Sequence, residues 1–151
     1  MPKILVVDDE PNITEILEIA FQEDGMEVIK SGSGRDALNM LRDQDIDIVV
    51  SDIKMPDLSG VELLGIAKEF SPNTVFIMIT AYASTETAIE ALQHGAFDYI
   101  TKPFGMDELR SIVQRALEQN NSRKPKSAAS AEEIEAQQGQ QLFQALHRIH
   151  P

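Results

Sequence analysis

The sequence predicts an α/β protein, a (βα)5 doubly wound sheet of five parallel strands. Two observations carry this. Apolar runs of strand length alternate five times with stretches of helical period. Three of the runs are almost continuously apolar, as strands covered on both faces are. Such alternation is satisfied by a parallel sheet with right-handed crossovers.

The first strand is "KILVV" from Lys3, followed by a helix over Pro11–Asp24. Ile13, Ile16, Leu17, Ala20 and Phe21 form its apolar stripe, with Glu15, Glu18 and Gln22 opposite. Pro11 suits a first helical turn and Gly25 a helix end. The second strand is "EVIKS" from Glu27, with a helix over Gly34–Arg42. The third is "IDIVVS" from Ile46, with a helix over Gly60–Phe70 whose start and preceding loop are served by Gly60 and Pro56. The fourth is "TVFIMIT" from Thr74, with a helix over Ser84–His94. The fifth is "DYIT" from Asp98, followed by a helix over Gly105–Asn120 whose stripe is Leu109, Ile112, Val113, Ala116 and Leu117.

One domain over residues 1–120 is therefore expected. From residue 121 to 151 the texture changes. "QNNSRKPKSAASAEE" is polar, small and interrupted by proline, which reads as a linker. The rest reads as a partly disordered tail, with a short amphipathic helix through Leu142, Phe143, Leu146 and Ile149 as the alternative.

Composition excludes several classes. There is no cysteine, so disulfides and thiol chemistry are absent and any metal must be held by oxygen or histidine. Met1 and Pro2 lead straight into a strand, without a signal-peptide pattern. No apolar run approaches the roughly 20 residues that cross a bilayer. A cytoplasmic protein away from membranes is expected. The formal charge is −12, and before Gln119 there are 9 basic and 22 acidic residues. That balance argues against direct nucleic-acid binding by this chain.

The acid is concentrated where function is expected. In open parallel sheets, ligands bind beyond the carboxyl ends of the strands. The first strand delivers Asp8 and Asp9 there, the third Asp52, the fourth Thr80 and the fifth Lys102. Carboxylates a few ångströms apart repel by about 4 kcal/mol per pair at a surface-like dielectric. Lys102 offsets part of this. Hard oxygen ligands point to Mg2+ or Mn2+ for the rest. Taken singly, each residue has an ordinary reading. Asp8 and Asp9 would cap the helix at Pro11, Asp52 would be a turn residue, Thr80 a β-branched strand end and Lys102 a structural partner of any acid, while Tyr99, apart from these five, would be an edge aromatic. Five such coincidences at one edge favour a site.

The segments "VVDDEP", "SDIKMPDLSGVELL", "MITAYAS" and "DYITKPF" resemble, in order and spacing, the receiver domain of two-component response regulators. The resemblance covers about Met1 to Asn120. It is strongest to receivers at the N-terminus of AAA-ATPase-linked transcription activators. It implies a flavodoxin-like strand order 2-1-3-4-5. It implies Asp52 as phosphoacceptor, with Lys102 and Thr80 assisting. Mg2+ would be held by Asp8, Asp9, Asp52 and the Lys54 backbone carbonyl. Thr80 and Tyr99 would be the switch pair, and Lys54 and Tyr82 would tune the lifetime of the phosphoryl group. The implied partners are a sensor histidine kinase and a second copy meeting through the face of the fourth helix, fifth strand and fifth helix. Such a module catalyses only its own phosphorylation and dephosphorylation. The implied output is transcription, through a module that this sequence does not contain. The alternative is a Mg2+-dependent phosphohydrolase with an aspartate nucleophile. The haloacid dehalogenase kind places a second aspartate two residues after the first, where this chain has Lys54.

Overall fold

The computed structural model describes residues 1–81 and 85–123. Five strands alternate with five helices: β1 Lys3–Val7, α1 Pro11–Glu23, β2 Glu27–Ser31, α2 Gly34–Asp43, β3 Ile48–Asp52, α3 Gly60–Phe70, β4 Val75–Thr80, α4 Thr85–Gln93, β5 Asp98–Thr101 and α5 Met106–Arg123. The strands form one parallel sheet in the order β2-β1-β3-β4-β5. Fold class and strand order are those expected. The last helix runs to Arg123, past the expected end at Asn120, because no glycine or proline interrupts it before Pro125. Of the linker and tail expected from residue 121, residues 121–123 belong instead to α5, and residues 124–151 lie outside the described residues, as does Tyr82.

Strand side chains alternate between two cores, as a period of two requires. Ile4, Val6, Ile48, Val50, Ile77 and Ile79 face one side, where Leu17 and Phe21 of α1 and Leu109, Ile112, Val113 and Ala116 of α5 cover them. Leu5, Val7, Val49, Phe76 and Met78 face the other, against Ala37 and Leu41 of α2 and Leu63, Leu64 and Ala67 of α3. Burying each large side chain contributes about 1.5–3 kcal/mol. The share of α4 in this packing is small. Its buried side chains are Ala88 and Ala91, and Ile89 is exposed.

One part of the expected α1 stripe is corrected. Leu17, Ala20 and Phe21 are buried and Ile13 partly so, but Ile16 is 54% exposed and Ile19 53%. Each residue turns the helix by about 100°, so Ile16 sits one step off the buried line through Leu17 and Phe21.

The helix starts are fixed locally. Ser33 caps α2 by accepting from the Asp36 N–H, and Ser59 caps α3 by accepting from the Glu62 N–H. At the other end of the sheet, the Asn120 side-chain amide donates to the carbonyls of Asp47 and Asn73. This ties α5 to the turns that precede β3 and β4.

Candidate functional site

The strand ends meet as the topology demands. β1, β3 and β4 are adjacent and in register, with Val7 opposite Ser51 and Asp52 opposite Ile79. The residue after β1, the last residue of β3 and the residue after β5 therefore share one edge. Lys102 closes the group. Its Nζ lies 2.9 Å from Asp8 Oδ2, 3.1 Å from Asp52 Oδ2 and 3.7 Å from Glu10 Oε1. The Lys102 backbone N–H donates to the Thr80 carbonyl at 2.8 Å, so the strand that brings the ammonium is stitched to β4.

Each acid is placed differently. Asp8 is buried, and its Oδ1 accepts the Glu10 N–H at 2.9 Å. Asp52 is also buried, and its Oδ1 accepts the Lys54 N–H at 3.2 Å. Asp9 and Glu10 are exposed. Carboxylate oxygens of Asp8, Asp9 and Glu10 lie within 4.8 Å of one another. A hard divalent cation suits this donor set, which is all oxygen and partly open to water.

The electrostatics are uneven. Burial raises the Asp8 pKa above its ordinary value, against the Glu10 N–H and Lys102, which lower it. For Lys102, burial disfavours the ammonium, but its hydrogen bonds to Asp8 and Asp52 outweigh this and hold its pKa above the lysine range. The charged trio is thus mutually supported, with negative charge in excess.

The helix-capping reading of Asp8 and Asp9 is corrected. The residue at the cap position of α1 is Glu10, and no side chain caps it. Asp8 instead turns its carboxylate to Lys102. Thr80 is buried at the end of β4, and Tyr99 lies on β5, 36% exposed. Lys54 follows β3 with its side chain exposed. The structure brings Asp8, Asp52 and Lys102 into contact, with Asp9 beside them. It leaves Tyr99 apart, facing outward.

Two residues had no assigned role in the sequence reading. Glu10 joins the acidic group; the triplet "DDE" was its only local signal. Asp57 accepts from the backbone N–H groups of Gly34 and Arg35 at 3.1 and 3.0 Å. Nothing in the sequence places it beside α2.

Comparison with known proteins gives consistent results. A family model described as the response regulator receiver domain matches residues 4–114. The regulatory protein AtoC of Escherichia coli strain K12 is 45% identical over 122 residues, covering 81% of this chain and 26% of that protein. The solution structure of the beryllofluoride-activated NtrC4 receiver domain dimer superposes with a TM-score of 0.76 at 33% identity, over 80% of this chain and 99% of that one. The response regulator TrrA of Thermotoga maritima, crystallised in complex with Mg(2+)-BeF, gives 0.71 at 37% identity, over 78% and 100%. The chain spans about a quarter of the length of the curated relatives it matches.

Proposed function

The chain belongs to the family of response regulator receiver domains, and on that premise we propose that Asp52 is its phosphoacceptor. The observation that carries this is the Lys102 ammonium held between Asp8 and Asp52 at 2.9 and 3.1 Å. It fixes the Asp52 carboxylate at a sheet edge beside an acidic group able to hold Mg2+.

The donor is a phosphohistidine on a sensor histidine kinase. An Asp52 oxygen attacks phosphorus, the phosphorus–nitrogen bond breaks, and the product is an acyl phosphate on Asp52. Lys102 offsets charge on the transferred oxygens. Asp8, Asp9, Asp52 and the Lys54 carbonyl would hold a divalent cation, which would supply the remaining neutralisation. Asp9, exposed beside Asp52, is the more direct ligand. Asp8, already engaged with Lys102 and the Glu10 N–H, acts partly through water. The Mg(2+)-BeF complex of TrrA supports this assignment by likeness.

Phosphorylation adds close to two negative charges and strong acceptor oxygens. Thr80, buried at the next strand end, moves to donate to them. Tyr99 turns inward into the space it leaves. The face of α4, β5 and α5 changes as a result and sets the output, a dimer contact or a transcriptional module. The NtrC4 dimer and the activator relatives support that reading. Lys54 and Tyr82, two residues after Asp52 and Thr80 respectively in the sequence, lengthen the life of the acyl phosphate. The family match gives no support to a phosphohydrolase. The module turns over its own phosphoryl group, and catalysis is confined to that.

The test is incubation with a small acyl-phosphate donor and Mg2+, read by intact mass. One phosphoryl group gained by the wild type and none by Asp52→Asn is the expected result. No gain by the wild type, or an equal gain by the variant, overturns the assignment.

A further inference from the structure

The segment between β3 and α3, residues 53 to 59, carries the backbone of Lys54 and is outside regular structure. Its root is fixed to β3. The Lys54 N–H donates to Asp52 Oδ1 at 3.2 Å, and the Gly60 N–H donates to the Ile53 carbonyl at 2.8 Å. Ile53 and Met55 point inward and are buried; Lys54, between them, is exposed. The outer part of the segment is tied to a different element. Asp57 Oδ1 accepts the Gly34 N–H and Oδ2 accepts the Arg35 N–H, 23 and 22 residues away. These are two of the donors that the first turn of a helix leaves unsatisfied. A third, on Asp36, is taken by Ser33. Contact at the tether is close: a β-carbon at Gly34 would stand 2.5 Å from the Leu58 carbonyl oxygen.

The carboxylate also benefits from the positive end of the α2 dipole. Hydrogen bonds from Arg35 and Gly34 hold its pKa below the ordinary carboxylate value, against a smaller opposing effect of burial. Asp9 and the segment residues Ile53, Lys54, Met55, Pro56 and Ser59 line one open hollow of about 580 Å3. The place where the segment stands therefore decides how its backbone meets the acidic group.

We propose that Asp57 is a positioning residue for the divalent cation: by clamping the β3–α3 segment to the first turn of α2, it holds the Lys54 carbonyl where the cation needs it. This rests on the metal assignment above. Groups that orient metal ligands are worth about 10- to 100-fold in affinity, and a clamp three residues from the ligand belongs at the lower end.

The experiment is calorimetric titration of the full chain with Mg2+, for the wild type, Asp57→Ala, Asp57→Asn and Asn120→Ala. Asn120→Ala loosens the far end of the sheet and controls for a general loss of stability. Asp57→Ala should weaken Mg2+ binding about 10-fold. Asp57→Asn keeps one acceptor oxygen and should fall between it and the wild type. Asn120→Ala should bind as the wild type does. Phosphoryl incorporation by Asp57→Ala should return to the wild-type level at saturating Mg2+. Unchanged affinity in both Asp57 variants, an equal loss in Asn120→Ala, or incorporation still depressed at saturating Mg2+ overturns the proposal alone. A wild type that does not bind Mg2+ overturns the metal assignment, and this proposal with it.

Discussion

A β-carbon at Gly60 would stand 2.5 Å from the backbone carbonyl oxygen of Asp52. The first residue of α3 is thus pressed against the strand end that carries the candidate phosphoacceptor. Gly60→Ala gains helix propensity of about 1 kcal/mol but collides with backbone, which cannot rotate aside. Overpacking costs about 1–3 kcal/mol, so a net loss of stability is expected by urea unfolding. Gly65, in the same helix with nothing within 4 Å of its would-be β-carbon, is the contrast. Gly65→Ala should stabilise by about 0.5–1 kcal/mol.

Lys102 occupies the position from which a positive charge competes with a bound cation. Lys102→Met leaves Asp8 and Asp52 without their shared partner. Mg2+ should then bind about fivefold tighter or more, since one unit charge at 4 Å is worth about 1 kcal/mol even in water. Phosphoryl incorporation should nevertheless slow. Calorimetry and intact mass on the same variant check both signs.

The raised Lys102 pKa also sets an alkaline limit. Its ordinary value is 10.5, and the folded value is higher. Its contribution to stability is therefore complete below pH 10.5 and is lost as pH rises through the folded value. Above about pH 10.5, wild-type stability should fall more steeply than that of Lys102→Met. Asp8, whose pKa is also raised, has the same sense in pH: stability is greater below its titration and is lost as pH rises through the folded value. Burial raises its pKa, so its charge opposes folding at neutral pH, and protonation through the folded value relieves this. Asp8→Asn should lack that relief in mild acid.

Tyr99 gives an optical test of the switch. The chain has two tyrosines and no tryptophan, so Tyr82→Phe leaves Tyr99 as the single reporter. If phosphorylation turns its ring inward, acrylamide should quench it less after treatment with an acyl-phosphate donor. Equal quenching before and after would remove Tyr99 from the switch.

The order and kind of all ten elements were legible because strand-length runs, three of them densely apolar, alternate with helix-period stretches. The expected candidate acids and lysine also stand at one edge, since strand ends in a parallel sheet must. What escaped is tertiary. Ile16 looked like core because periodicity defines a stripe without saying how wide a strip the sheet will cover. Capping, the ordinary local reading of Asp8 and Asp9, was outweighed by the convergence with Lys102, 94 residues from Asp8. Asp57 received no role, because its partners lie in another helix. Gly60 looked like loop punctuation, whereas its lack of a side chain admits the Asp52 carbonyl.

The shallow seating of α4 has a mechanical consequence. Phe21, Leu17 and Leu109 plug α1 and α5 into the sheet, so displacing either helix exposes whole large side chains at about 1.5–3 kcal/mol each. Ala88 and Ala91 anchor α4 by little more than methyl groups, at about 0.8 kcal/mol per carbon. Among the described residues, α4 has the smallest buried side chains of the five helices. If Thr80 rearranges on phosphorylation as proposed, α4 is the helix whose displacement would expose the least apolar surface.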